Sequence, residues 1–184
     1  AHLGAQGHRQ AVVQWAGQGR ALARPFSMKK RKIFTALAAG CLLIFVQLLQ
    51  PVFLVRGGGH TLLALPLERP QPFSIWFMHS VQKTPVLENL VADGQQRELR
   101  LCSTRYQSFG VGLPFWLSEG EFHEEGDFFV FDHMDRHYRS VSLRTGVGTQ
   151  LTLYTEAGAL RLYEMFPPGT RVDLCIAPGY EALR

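Results

Sequence analysis

Acidic residues are absent from the first 56 positions of the 184-residue chain, which instead carry eight Lys and Arg. All fifteen Asp and Glu follow residue 56, so the later part of the chain is net acidic although the whole chain has a formal charge of +4. A nucleic-acid-binding domain would carry its basic excess on the folded part. The charge distribution therefore argues against nucleic acid as a partner.

Helical periodicity with capping residues is missing after residue 57, and the sequence has no internal repeat. Short apolar or alternating segments separated by turn residues follow one another instead, and Asp93-Gly94 is typical of a β-hairpin turn. We expect an all-β domain, an antiparallel sandwich or barrel-like fold, preceded by one N-terminal transmembrane helix.

Charge is also absent from Ile33–Val55, a run of 23 residues that would span about 34 Å as a helix. Four basic residues precede the run and only Arg56 follows it. The positive-inside rule then predicts a cytoplasmic N-terminus and an extracytoplasmic, periplasmic domain at 57–184.

The remaining boundaries leave alternatives open. Residues 1–27 are either an artefact upstream of a true start at Met28 or a disordered cytoplasmic extension. Residues 28–56 form a basic region and an apolar segment, for which we favour an uncleaved anchor in the cytoplasmic membrane over a signal peptide removed near Gly57-Gly-Gly59. Lipid attachment at Cys41 is a third, less favoured reading.

Cysteine is scarce, with three in the chain. Cys102 and Cys175 both lie in the exported part, where paired cysteines tend to oxidise. The sequence leaves open whether they form a disulfide or remain two buried thiols.

Catalytic signatures are missing as well. Ser80 and Ser108 lack the Gly-x-Ser-x-Gly context of an α/β-hydrolase nucleophile, although His79 and Asp132 are nominal partners. The histidines at 123, 133 and 137 match no common zinc spacing. We therefore predict no catalytic residue, no metal site and no cofactor.

Two polar stretches remain as candidate sites, His79–Val86 and Thr104–Pro114. Each begins as a strand and ends in a turn marked by a proline, Pro85 or Pro114, and the second contains Gly-x-Gly, which permits close backbone approach. The Asp93-Gly94 hairpin would place Thr84 beside Thr104. Such a cluster would suit an anion such as the carboxylate of an organic acid. The candidate residues are His79, Ser80, Lys83, Thr84, Arg105, Ser108, Gly110, Gly112 and Arg136.

At these two stretches the chain resembles the bacterial domain of unknown function 1850 family. The family pattern reads His-Ser-Val-x-Lys-Thr-Pro-Val and then Thr-x-Tyr-x-Ser-Phe-Gly-x-Gly-Leu-Pro, and residues 79–86 and 104–114 supply both. The resemblance implies a small exported β-protein encoded beside TRAP-type transporters with TAXI-type solute receptors. The expected function is thus a non-enzymatic accessory that contacts the permease or solute receptor; the alternative is a small-anion or carboxylate binding module.

Overall fold

The computed structural model describes residues 28–108, 118 and 120–183. Its first element is the helix α1 (Met28–Leu49), none of whose residues is buried. The chain divides into two compact units within this helix, between Ala39 and Gly40. Over the described residues, α1 is the one helix long and apolar enough to cross a membrane, and a signal sequence would have the same properties.

Two antiparallel sheets make up most of the remaining described chain. The first sheet consists of β1 (Pro51–Gly57), β2 (His60–Pro66), β9 (Ser140–Arg144) and β12 (Arg171–Pro178), in the order β2-β1-β12-β9. The second sheet consists of β3 (Gln71–Met78), β4 (Pro85–Asp93), β5 (Glu98–Tyr106), β6 (Glu121–Glu125), β7 (Phe128–Asp132), β8 (Arg136–Tyr138), β10 (Thr152–Thr155) and β11 (Gly158–Arg161). Its order is β11-β10-β3-β4-β5-β7-β6, and β8 also pairs with β5.

The main core lies between these sheets. The rings of Phe53 in β1 and Phe73 in β3 meet across it with centroids 4.6 Å apart. Tyr106, Phe131 and Leu174 are also fully buried there. Alternate residues of each strand supply this core, as expected for packed antiparallel sheets. The predicted all-β domain after an N-terminal helix is therefore confirmed.

The apolar run Ile33–Val55 is not one helix, contrary to the sequence-based expectation. The helix ends at Leu49, and β1 begins at Pro51. β1 lies between β2 and β12 and is buried on both faces, because Phe53 faces the main core while Leu54 faces a smaller cluster with Ala177. A strand buried on both faces reads as continuous hydrophobicity, which resembles a membrane segment in the sequence.

Three consecutive glycines, Gly57-Gly-Gly59, predict a flexible joint, but in the structure they belong to a hairpin. Gly57 ends β1, and Gly58 and Gly59 form the turn into β2 with φ of 60° and 85°. Both values lie in the left-handed region that glycine adopts without a steric penalty, as a two-residue hairpin turn requires. Cleavage at this turn would separate β1 from its two neighbours and remove Phe53 and Leu54 from the core.

A β-bulge in β5 changes which side chains face the core. Asn89 pairs with Ser103 and Leu90 with Leu101, so Cys102 is an extra residue on β5. Its carbonyl accepts a hydrogen bond from the Met134 backbone N–H at 2.9 Å. Because one added residue reverses the alternation, the buried side chains switch from odd to even positions along this strand.

That switch corrects the expected pattern for residues 99–106. Strict alternation along this strand would place Ser103 and Arg105 on the face of Leu99, and Thr104 and Tyr106 on the other. In the structure Thr104 and Tyr106 are buried with Leu99, whereas Arg105 is about half exposed.

Two smaller expectations also require correction. The apolar segment that follows the Ala157-Gly158 turn predicts a strand at 160–165, but only its first two residues continue β11, and a one-turn helix α2 (Leu162–Met165) follows. Cys102 and Cys175, left open as a disulfide, are both free thiols. They lie in different sheets, at the β5 bulge and in β12, and burial raises the pKa of the Cys175 thiol.

Candidate functional site

The first polar stretch forms a tight turn between β3 and β4. The His79 backbone carbonyl accepts from the Lys83 N–H at 2.9 Å, and the His79 N–H donates to the Thr84 carbonyl at 2.9 Å. The His79 imidazole Nδ1 accepts from the Gln82 N–H at 3.1 Å. The His79 side chain therefore closes the turn through a local hydrogen bond between its ring and the backbone.

The other residues of this turn that were predicted to form the site lie at or near the protein surface. Ser80 and Lys83 are exposed, and Lys83 has a left-handed backbone with φ of 56°. Thr84 is partly buried, and its Oγ1 has no hydrogen-bond partner among the described residues.

The second stretch begins beside the first, but in a different register from the one expected. Val86 pairs with Tyr106 and Glu88 with Thr104, so Thr84 does not lie opposite Thr104. The turn between the strands spans residues 94–97, and β5 carries the extra Cys102. The two stretches therefore meet at one end of the β4–β5 hairpin, and the expected pairing was wrong by four residues.

Arg105 does not join Lys83. Its Nη1 lies 2.7 Å from Glu125 Oε2, and its guanidinium carbon lies 4.2 Å from the centroid of the Phe128 ring. Both partners belong to the β6–β7 hairpin, so this arginine already has a carboxylate and an aromatic face. Ser108 follows β5 in a partly buried bend, and Gly110 and Gly112 lie outside the described residues.

The three histidines whose spacing matched no zinc pattern each lie near a different carboxylate. His123 Nε2 lies 3.2 Å from Glu125, and His137 lies 2.8 Å from Glu98. His133 is 3.8 Å from Glu121. Across residues 28–108, 118 and 120–183, no three His, Cys, Asp or Glu side chains are grouped so as to hold a metal ion.

A cavity of about 260 Å³ lies between the two sheets and contains a carboxyl group. Glu88 and Leu90 of β4 and Leu101 of β5 line one side of it. Tyr138 of β8 and residues 140–142 of β9 line the other side. This volume is at the small end for ligand sites and would suit a molecule of few heavy atoms.

Glu88 occupies a position that its strand otherwise gives to core residues. Val86, Leu90 and Ala92 are buried on the same face, and Glu88 pairs with Ile75 and Thr104, which are both buried. Burial raises the pKa of the Glu88 carboxyl above its usual value, and the positive charge of Arg136 opposes part of that rise. The neutral acid, a hydrogen-bond donor, is thus favoured more than in water.

Arg136, one of the predicted site residues, belongs to this cavity's surroundings. It pairs with Leu101, whose side chain is buried, so both residues lie on the core face of the second sheet. Arg136 therefore lies on the same sheet face as Glu88, near enough for its charge to oppose the rise in the Glu88 pKa.

Comparison with known proteins gives one match. Residues 73–162 match a family described as a domain of unknown function, DUF1850. The chain carries a DUF1850 domain. No curated protein and no solved structure matches the chain.

The DUF1850 match contains the whole Glu88 cavity. It begins in β3 and ends at the first residue of α2, so it includes every residue that lines the cavity as well as Arg136. β1 and β12, which form the centre of the first sheet, lie outside the matched residues. The DUF1850 segment therefore holds the candidate site, while flanking strands complete the sandwich.

Sequence reasoning missed Glu88, although a signal was present. Residues 86, 88, 90 and 92 alternate in phase, and three of them are apolar. A glutamate in that phase predicts a carboxyl group on the buried face of a strand. Such a group is uncommon enough to mark a candidate site.

Proposed function

We propose that this protein is a membrane-tethered, non-enzymatic domain that binds the carboxylate of a small organic acid in the Glu88 cavity. The observation that supports it is the half-buried carboxyl group of Glu88, which lines a small cavity, and whose pKa is raised by burial and lowered by the charge of Arg136. A neutral Glu88 would donate a hydrogen bond to the ligand carboxylate, and the Arg136 charge would favour the anion. Leu90 and Leu101 would contact a short carbon chain.

Titration calorimetry with the full chain in detergent, using succinate and glutarate as probes, tests this proposal. Arg136→Gln should weaken binding at least tenfold. Glu88→Gln should retain binding at neutral pH, because an amide also donates a hydrogen bond. Wild-type affinity should rise as the pH falls toward the pKa of Glu88, provided that the probe stays ionised.

Arg100→Gln is the matched control. Arg100 lies next to Leu101 on β5 but on the opposite face, where it is 3.8 Å from Asp135. Its replacement should leave binding unchanged. Loss of binding in Glu88→Gln with retention in Arg136→Gln would contradict the carboxylate proposal. Loss in Lys83→Ala alone would instead place the site at the β3–β4 turn.

A second candidate function is that of an accessory of a TRAP-type transporter with a TAXI-like solute receptor. The helix supports it, since α1 has apolar side chains exposed around its circumference and would lie stably in lipid. Four basic residues before the apolar run favour a periplasmic β-domain. A tether of this kind raises the effective concentration of a weakly binding permease or receptor.

Affinity purification of the tagged protein from solubilised membranes tests the accessory role. Permease or solute-receptor subunits should be enriched over a control that carries α1 fused to an unrelated domain. Enrichment by both proteins equally, or by neither, would count against the accessory role.

A further inference from the structure

A second cavity, of about 350 Å³, lies on the outer face of the second sheet. It is lined by Trp76, Gln150, Thr152, Tyr154, Arg161 and Tyr163. Trp76 follows the buried Ile75 in β3, and adjacent strand residues point to opposite faces. Because Glu88 pairs with Ile75, this cavity and the Glu88 cavity lie on opposite faces of the same sheet.

Strand pairing arranges the polar and aromatic side chains of this cavity in a row. Thr152 of β10 lies directly opposite Trp76 of β3 and also directly opposite Arg161 of β11. Neighbouring strands are about 4.8 Å apart, so the row spans roughly 10 Å, the length of about two sugar rings. Tyr154 lies two residues after Thr152 in β10, on the same face of the sheet. Tyr163 lies in α2, two residues after Arg161.

The aromatic rings are available to a ligand. Tyr154 is 47% exposed and Tyr163 is 37% exposed, and Trp76 is partly exposed. Large rings held at a surface leave apolar area in contact with water, and covering that area is favourable. Polar atoms nevertheless make up most of the cavity lining, which disfavours a purely apolar ligand.

The charge of the cavity is balanced by Glu164. Its carboxylate lies 3.6 Å from Arg161 Nη1. The Tyr163 hydroxyl donates a hydrogen bond to Glu164, which raises the pKa of that hydroxyl. One carboxylate thus serves both side chains, and the local charge is close to zero, which favours a neutral ligand over phosphate or a carboxylate.

We propose that this surface, termed the Trp76 groove, binds a neutral oligosaccharide of hexose or N-acetylhexosamine units. Trp76 and Tyr154 would stack against the apolar C–H faces of the sugar rings. Arg161, Gln150 and the Thr152 hydroxyl would hydrogen-bond the sugar hydroxyls. Thr152 Oγ1 donates to the Gln150 carbonyl at 2.9 Å, so its lone pairs are free to accept a ligand hydroxyl.

Calorimetry and ligand-observed NMR with chitotetraose and cellotetraose, on the full chain in detergent, test the groove. Wild type should bind one of the two, and Trp76→Ala or Tyr154→Ala should weaken binding at least tenfold. Trp76→Phe should recover part of that loss because a ring face remains. Unchanged thermal unfolding of each variant would show that the loss is local.

Tyr180→Ala is the matched control, because Tyr180 is 41% exposed and lies in the C-terminal 3-10 helix (Gly179–Leu183), outside the groove. It should bind as wild type does, and so should Arg136→Gln, which tests the other cavity. Absence of saccharide binding by wild type, or equal losses in Tyr154→Ala and Tyr180→Ala, would overturn the proposal. Self-association that Trp76→Ala abolishes would instead assign the groove to a protein contact.

Discussion

Glu88 shows how a single residue can link stability to pH in this domain. Its carboxyl is surrounded by the side chains of a hydrophobic face, and its ionised form loses hydration that the unfolded chain would provide. Arg136 offsets part of this loss. Ionisation of Glu88 is therefore more costly in the folded state than in the unfolded state.

We predict that Glu88→Gln stabilises the domain at neutral pH and leaves acid stability unchanged. Because the folded-state pKa of Glu88 is raised, its favourable contribution is fully present below the usual glutamate pKa and is lost as the pH rises through the folded value. Thermal unfolding at several pH values should show curves that converge near pH 4 and separate toward pH 7.

The control for this prediction is Glu68→Gln, since Glu68 is exposed between β2 and β3. It should leave the pH dependence of wild type unchanged. A Glu88→Gln variant that tracks wild type at every pH would mean that burial does not perturb this carboxyl.

Arg105 is a residue whose contacts are numerous but exposed. We predict that Arg105→Ala lowers the free energy of unfolding by no more than about 1 kcal/mol, because exposed ion pairs and cation–π contacts each contribute little. In urea unfolding, the difference in the free energy of unfolding between wild type and Arg105→Ala should become smaller at high salt. A loss above about 2 kcal/mol would instead indicate that Arg105 supports the β6–β7 hairpin structurally.

At the scale of elements, β1 carries more of the fold than its sequence suggests. It is paired on both sides and contributes to both hydrophobic clusters, although its apolar run continues that of α1 without a charge between them. The smaller cluster, which contains Leu54 and Ala177, is covered by the 3-10 helix. Arg56 of β1 lies 3.2 Å from Oε2 of Glu181 in that helix. The β-domain therefore begins at Pro51 and not after the glycines.

The same substitution should lower domain stability strongly in β1 and hardly at all in α1. Leu54→Ala should lower the free energy of unfolding by about 2–5 kcal/mol, as expected for a fully buried leucine. Leu42→Ala should change it by less than about 0.5 kcal/mol, because Leu42 is 62% exposed in the helix. Urea unfolding of both variants in detergent, followed by tyrosine and tryptophan fluorescence, checks this. Equal effects would contradict the boundary at residues 49–51.

At the scale of the whole molecule, the topology proposal can be tested directly. In a variant whose three cysteines are replaced by alanine, Val147→Cys introduces a thiol at a position that is 81% exposed in the β-domain. A membrane-impermeant maleimide should label this thiol in intact spheroplasts. The basic residues before the apolar run favour a cytoplasmic N-terminus, which puts the β-domain on the outer side of the membrane.

Ser27→Cys, placed before the apolar helix, is the opposite control and should react only after membrane disruption. Labelling of Ser27→Cys and protection of Val147→Cys in intact cells would reverse the proposed orientation. Labelling of Val147→Cys in the culture medium would indicate a cleaved, released form.

Several strands of both sheets could be read from the sequence. Alternation and turn residues are local signals, and they predict strands at 73–79, 86–91, 97–106 and 171–176, each within a few residues of the observed bounds. The resemblance to the DUF1850 family rested on two short stretches, and these do meet at one end of the β4–β5 hairpin.

The sequence by itself determined the apolar helix, the antiparallel β class and the family, since each depends on composition, period or contiguous motifs. Only the tertiary structure decided that Val52–Val55 is a central strand, because apolarity is the same for lipid and for a protein core. It also decided the register at the Cys102 bulge and the placement of Arg136 on the same sheet face as Glu88. These depend on which strands become neighbours, and residues 48 positions apart carry no local signal of their contact.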